Sequence, residues 1–454
     1  MPVNIKDKLY ALAKQRITWV IIILTIAFAG VIVRFWWINY MPTEQKYDFK
    51  TYHAIAVNIS EGRGHTLDGQ PVAWQGCGYS YALGLYYKLT NDTSEANGKI
   101  FNVLLSSAAL VLSYFIFVKL YKKKWVTVVS FAAVAFFPNI VAYTNVLGTE
   151  TLALFLICAM VFFPLYVRSK RALYPFLGIL CAAAALTKPF MMAYPVILAA
   201  VDWFGGKNIK KSLLMLLTVG AVAVILIMPW IWRNYRHFGR LIPVSYNGGY
   251  VLYINNNDTN TSGNWIDLSD VAASEETAAK INEYLKNGER SVKLAHDIEP
   301  LLKKEAHKWI LNHPIEFAKL GFLRLKTTFF DDTNDVFQWS MNKFDRDFTG
   351  WSEVQYKRNI NVIGSVFDVI LRFFSFSALV FVLFNAKRFA LTLFSLRKQM
   401  PFQTGIIIIN ILFFAAVVFV YEGHARYNFT VLLFLIAAFG MMLEVKSGDY
   451  EVCQ

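Results

Sequence analysis

The sequence predicts an all-α protein that crosses a membrane many times. Three observations predict it. Of the 454 residues, 56% are hydrophobic and 17% are charged, against roughly 45–50% and 25% in soluble domains. The apolar residues come in long blocks, each near the roughly 20 residues a helix needs to cross a bilayer. The basic residues cluster between those blocks, which is the orientation signal of a multi-span protein. The chain is too apolar to be disordered. Its net charge of +14 is accounted for by these clusters, so membrane lipids are the expected partners and nucleic acid is not.

Lys6, Lys8, Lys14 and Arg16 precede an apolar run over 17–37. The run is longer than a signal-peptide core, and no small-residue cleavage site follows it. It therefore reads as a retained signal anchor with the N-terminus in the cytoplasm. Further spans are predicted near 98–120, 125–146, 148–167, 173–187, 190–204, 213–232, 362–386, 404–421 and 427–444. That makes about ten, within a range of about 10–13. The pair 173–187 and 190–204 is short and divided by Pro189, so it reads as tilted, broken or re-entrant. The stretch 388–396 reads as a further interfacial piece.

Alternation tests this count. It places Lys119 and Lys122–Lys124, Arg168, Lys170 and Arg171, Lys207, Lys210 and Lys211, and Lys387, Arg388, Arg397 and Lys398 on the cytoplasmic side. The short outer connections hold little that is basic except Lys188 and Arg426. The C-terminus then also lies inside. The chain divides into a tail and first span (1–40), a first outer segment (41–97), a bundle (98–232), a second large outer segment (233–361) and C-terminal spans with a short tail (362–454). Long ordered loops in a bundle of short connections usually carry function. Both outer segments hold amphipathic stretches suited to a membrane surface, over 48–60 and over 301–330 with a break at Pro314. The cysteines, Cys77, Cys158, Cys181 and Cys453, show no metal-site or disulfide pattern.

Among the acids of the first outer segment, Asp68 lies in a Leu-Asp-Gly-Gln-Pro turn. Asp48 stands just after the first span at the head of a helical pattern. There it serves either as a first-turn acid complementing the helix dipole or as a functional carboxylate facing the bundle. Glu150 opens an apolar span and admits the same two readings. Arg233 and Arg236 follow Trp230 and Trp232 at a membrane edge and read as headgroup anchors. No spacing draws His53, His65 and His424 into a metal site with nearby acids. Asp331 to Asp335 lack the glycine and closing Glu of a calcium loop. No metal site is predicted.

The segment from Tyr47-Asp48-Phe49 through Tyr52-His53-Ala54, Glu61-Gly62-Arg63-Gly64 and Trp74 to Gly76-Cys77-Gly78-Tyr79 resembles the first outer loop of bacterial protein O-mannosyltransferase-like glycosyltransferases. Gly148-Thr149-Glu150, Leu186-Thr187-Lys188-Pro189, Asn255-Asn256-Asn257 and Glu422 to Tyr427 look like later motifs of the same family, in the same order. Phe49 stands where the family usually has a second acid, and Gly76-Cys77-Gly78 where it has Pro-Pro-Gly. The resemblance implies a GT-C-type bundle and transfer of a sugar from a polyprenyl-phosphate donor to a hydroxyl of a lipid, surface glycan or protein. It implies an active site on the extracytoplasmic face of the cell membrane.

A phosphodiester leaves as an anion, so the donor needs nearby cations rather than a general acid, while the acceptor hydroxyl needs a base. The resemblance makes Asp48 that base, in a single inverting displacement. It makes Lys188, Arg426 and Arg63 the phosphate-binding cations, and Tyr52, Tyr79, Glu150 and Asn256 the substrate contacts. The chemistry requires no cofactor; a divalent metal is compatible with it but not indicated. The rival readings are a flippase or transporter of lipid-linked sugar, which would show inverted repeats and charges near mid-membrane, and a glycan ligase or polymerase with a late Arg/His-rich loop.

Overall fold

The computed structural model describes residues 5–167, 169–286, 292–331 and 335–446. Arg168, Asp332 to Asn334 and Cys453 lie outside the described residues, as do the ends that carry the predicted tails.

The helices run in order as α1 (Ile5–Tyr40), α2 (Tyr47–Ser60), α3 (Gly78–Thr90), α4 (Glu95–Leu120), α5 (Lys124–Phe136), α6 (Pro138–Ala142), α7 (Thr149–Tyr166), α8 (Lys170–Thr187), α9 (Tyr194–Gly206) and α10 (Ile209–Phe238). They continue as α11 (Gly248–Asn255), α12 (Glu275–Lys286), α13 (Val292–Asn312), α14 (Pro314–Lys326), α15 (Arg346–Thr349), α16 (Glu353–Phe394), α17 (Phe402–Val420) and α18 (Leu432–Lys446). A two-stranded hairpin of β1 (Thr66–Leu67) and β2 (Gln70–Pro71) interrupts the first outer segment. Asp68 and Gly69 make its turn, both at positive φ of 49° and 74°, the conformation a tight two-residue hairpin requires.

Among the described residues, eight helices are long and apolar enough to span a membrane, and a ninth span forms if α5 and the bent continuation Pro138–Asn145 count together. The shorter apolar stretch Leu432–Glu444 accounts for the last of the ten expected from sequence. The fold is thus an all-α polytopic bundle, with eight or nine candidate spans among the described residues where the sequence suggested ten or more. The predicted interfacial piece at 388–396 is instead mostly the end of α16, which runs unbroken for 42 residues to Phe394. Nothing in 388–394 breaks the helix: it holds no Gly or Pro.

Pro189 does divide α8 from α9, but through a 3₁₀ turn, Pro189–Ala193. Proline cannot donate to the preceding turn, so α8 stops at Thr187 and Lys188 becomes its C-cap. The predicted surface helices form as α2 and as α13 and α14. Phe49, Tyr52, Ile55 and Ala56 are buried on one face of α2, and Leu302 and Ala306 on α13; the α13–α14 break falls at His313, before Pro314.

Connectivity gathers both long segments at one end of the bundle. The C-terminal ends of α1, α8, α10 and α17 meet the N-terminal ends of α4, α7 and α16 there. The opposite end carries the basic connections, where the backbone amides of Lys122 and Lys123 donate to Glu444 and Met400 N donates to Phe204 O. The two long segments share a core of their own, with Ala73 and Cys77 of the first packed among Trp230, Tyr246, Leu252, Ile281 and Leu302. Burial pushes the Cys77 thiol up to about 12, as expected of a structural cysteine.

Arg233 stitches these layers. Its guanidinium donates to the carbonyls of Val72 (2.9 Å) and His65 (2.6 Å) and lies over the Trp230 ring. It is therefore an internal clamp rather than the headgroup anchor its position suggested, because three carbonyl or side-chain oxygens converge on it. Deeper in the bundle, Arg34 of α1 is fully buried and donates to Ser106 of α4, to Gly30 O and to Ala135 O of α5.

Candidate active site

Three helix ends and one loop meet beneath the shared roof. Asp48 lies in the first turn of α2, Glu150 in the first turn of α7, and Lys188 at the end of α8. Arg426 stands in the 3₁₀ turn Ala425–Thr430 that leads into α18. The carboxylates sit where helix dipoles favour negative charge, and Lys188 where they favour positive charge. The residue before Asp48, Tyr47, has φ 47°, a costly conformation for a residue with a β-carbon. The Tyr47 and Phe49 rings both pack edge-on against Trp339, which fixes the entry to α2.

These four residues line one cavity of about 310 Å³. Its lining also includes the apolar side chains of Phe190, Val251, Phe414, Val417 and Val418. Arg426 Nη2 donates to Asp48 Oδ2 at 3.4 Å. Lys188 Nζ donates to Glu150 Oε1 at 2.9 Å, with both side chains largely buried, 12% and 3% exposed. Tyr427 stands between the cations: Lys188 Nζ lies 5.7 Å and the Arg426 guanidinium 5.3 Å from its ring centre. Its hydroxyl donates to Glu422 Oε2 at 2.6 Å and accepts from Arg426 Nη2 at 3.3 Å.

Burial raises the Glu422 carboxyl above the usual carboxylate range, against the pull of Arg426. Burial, and then Arg426, lower the His424 imidazole to about 3. His424 is thus neutral, which suits its Nδ1 accepting from Arg426 N at 3.3 Å. The Tyr52 phenol, raised by burial and then by Asp48 and Glu150, stays protonated.

Of the substrate contacts and cations read from sequence, Asp48, Tyr52, Glu150, Lys188 and Arg426 share this cavity, and three others do not line it. Arg63 is an exposed loop residue paired with Glu61 and with Asn58 Oδ1 (2.6 Å), held locally by the bend it sits in. Tyr79 is fully buried behind Tyr52 and donates to Asn102 Oδ1 at 3.0 Å. Asn256 is also buried, where its Oδ1 accepts from Arg324 at 2.9 Å. Arg324, which the sequence reading passed over, is fully buried and donates to Phe419 O (2.7 Å), tying α14 to the end of α17. The three histidines stay apart: His53 bonds Tyr87, His65 bonds Val72 O, and His424 bonds Arg426. Among the described residues no group of three or more His, Cys, Asp or Glu is placed to hold a metal.

Three buried polar atoms of cavity residues find no hydrogen-bond partner among the described residues: Gln75 Oε1, Glu150 Oε2 and Arg426 Nε. Gln75 was also missed in sequence. The signal was available, since a lone amide between Trp74 and Gly76 has no helical or turn role.

Residues 75–232 match the model of the family described as dolichyl-phosphate-mannose-protein mannosyltransferase. No curated protein sequence is significantly similar to the chain. In structure it is similar to the archaeal oligosaccharyltransferase AglB from Archaeoglobus fulgidus, solved with an inhibitory peptide and a dolichol-phosphate: TM-score 0.52 at 13% identity, covering 94% of this chain and 50% of that one. The apo form of the Archaeoglobus fulgidus oligosaccharyltransferase gives TM-score 0.52 at 12% identity with the same coverage. The chain thus spans about half the length of the solved structures it matches. It has a GT-C-type membrane fold, and its residues 75–232 are similar in sequence to the dolichyl-phosphate-mannose-protein mannosyltransferases.

Proposed function

We propose that the chain is an integral-membrane inverting glycosyltransferase that moves a sugar from a polyprenyl-phosphate donor to a hydroxyl of a lipid, glycan or protein on the extracytoplasmic side. The observation that carries this is the single cavity in which two cations, Lys188 and Arg426, the carboxyl groups of Asp48, Glu150 and Glu422, and a set of apolar side chains come together. Such a cavity suits a molecule with an anionic head, a polar sugar and a hydrocarbon tail. The family description and the dolichol-phosphate bound to the AglB structure point to the same donor class.

The step is a displacement at the anomeric carbon. Asp48 takes the proton of the acceptor hydroxyl as its oxygen bonds that carbon from one face. The bond to the phosphate oxygen breaks on the other face, and its electron pair leaves with the polyprenyl phosphate. Lys188 and Arg426 neutralise the charge gathering on that phosphate. Arg426 holds Asp48 before the donor arrives and then serves the phosphate, which frees the carboxylate.

A flippase of lipid-linked sugar is less well supported. The cavity charges sit at one end of the bundle, and the deeper Arg34 is bonded to carbonyls and Ser106 rather than to an open path. The test is purified protein in lipid nanodiscs with polyprenyl-phosphate sugars, read by mass spectrometry, alongside the polyprenyl-phosphate sugars and surface glycans of cells with and without the gene. Release of polyprenyl phosphate with a glycosylated acceptor supports the reading. Translocation of intact donor without transfer overturns it.

A further inference from the structure

We propose that Gln75 reads the donor's sugar, its side-chain amide bonding one sugar hydroxyl while Glu150 Oε2 accepts from another; this rests on the glycosyl-transfer reading above. Gln75 is 8% exposed, lines the cavity, and its Oε1 is buried without a partner among the described residues. A buried polar atom left unpaired is costly, so native proteins retain one mainly where a ligand or ordered solvent completes it. Of the three such atoms in this cavity, a carboxylate oxygen and an amide oxygen are acceptors, while Arg426 Nε is a donor beside the phosphate-binding cations. A saccharide supplies what the two acceptors lack, a set of hydroxyl donors at fixed spacing.

The placement is rigid. The backbone of 72–78 is pinned from outside by Arg233 to Val72 O and by Tyr246 N to Ala73 O at 2.9 Å. From inside it is pressed on the end of α8: a β-carbon on Gly76 would lie 3.0 Å from Thr187 O, and one on Gly78 would lie 2.5 Å from Thr187 Oγ1. The next residue is Lys188, whose Nζ holds Glu150. Gln75 is therefore carried on a segment packed against the residue before Lys188, and both side chains line the same cavity. A neutral amide there adds no charge to the phosphate site, and it is suited to discriminating hydroxyls.

The experiment uses full-length protein in nanodiscs with undecaprenyl-phosphate mannose, glucose and galactose. The fastest donor is then compared with its monodeoxy analogues, in wild type and in Gln75→Met, which keeps length and removes hydrogen bonding. The expected result is that one monodeoxy analogue loses about tenfold or more in kcat/KM with wild type, close to 1.4 kcal/mol. Gln75→Met should lose the same factor on the parent donor and nothing further on that analogue. A loss by Gln75→Met that is equal across the parent and every analogue, or no loss at all, overturns the assignment. Transfer from no donor by wild type overturns the function reading, and this assignment with it.

Discussion

Asp48 and Arg426 lie 378 residues apart in sequence and meet at 3.4 Å in the cavity. The pair joins the first turn of α2 to the loop before α18, so it closes the site from the two ends of the chain. An exposed pair of this kind would matter little. Here the Arg426 and Asp48 side chains are only 17% and 32% exposed, and both face a space sized for a ligand.

Asp48→Asn keeps size and hydrogen bonding but removes the proposed base. Transfer should fall by about a thousandfold, the middle of the usual range for a lost general base, with the thermal midpoint nearly unchanged. Turnover within tenfold of wild type, measured with purified donor, would place the base elsewhere.

Lys188 and Glu150 form a buried pair, and removing one partner strands the other. Lys188→Met should destabilise the protein by about 3 kcal/mol, while the double variant Glu150→Gln/Lys188→Met recovers most of that loss. Neither variant should bind donor well. Chemical unfolding in detergent separates the two effects.

Gly78→Ala tests the contact between the first outer segment and α8. The new β-carbon would meet Thr187 Oγ1 at 2.5 Å and Thr187 N at 2.8 Å. A loss of about 1–3 kcal/mol is expected from overpacking. Thr187→Ala should not rescue it, because the backbone nitrogen remains in place.

The buried histidines set the acid limb of stability. His65, by burial and then Arg233, and His424, by burial and then Arg426, are both lowered to about 3. An unfolded histidine titrates near 6.5. Below that pH the unfolded chain binds protons that the folded chain refuses, so this stabilisation is complete above about 6.5 and is lost as pH falls toward 3. Each histidine contributes up to about tenfold in the folding equilibrium per pH unit across that window. Unfolding midpoints between pH 4 and 8 should show a shallower slope for His424→Asn than for wild type. Glu422, raised by burial, acts with the opposite sign: its stabilisation is present at low pH and is lost as pH rises through its raised value.

The sequence carried the bundle and part of the site for separate physical reasons. Apolar block length marked the eight candidate spans, the bent ninth and the shorter apolar helix Leu432–Glu444, because the bilayer imposes it. Asp48, Glu150 and Lys188 were legible because each is an ionisable residue at the edge of an apolar block, where its presence needs explaining. Arg63 misled because a cation among glycines looks the same whether it serves a ligand or its own loop; only the Asn58 and Glu61 contacts distinguish them. Tyr79 and Asn256 sit in matching motifs, yet their side chains turn away to Asn102 and Arg324. Arg324 was hidden because its role depends on contacts made across more than 60 residues of chain, which periodicity does not encode.

Arg34 has a bearing on how the protein is made. A guanidinium in a lone helix costs at most roughly 2.5–3.5 kcal/mol, the figure for the bilayer centre, and Arg34 lies toward the outer end of the span Arg16–Tyr40. Its ligands Ser106 and Ala135 are synthesised 72 and 101 residues later. This strongly apolar helix can therefore enter lipid by itself, but its Arg34 guanidinium finds its long-range partners only when α4 and α5 join it, which ties the final seating of α1 to the arrival of its neighbours.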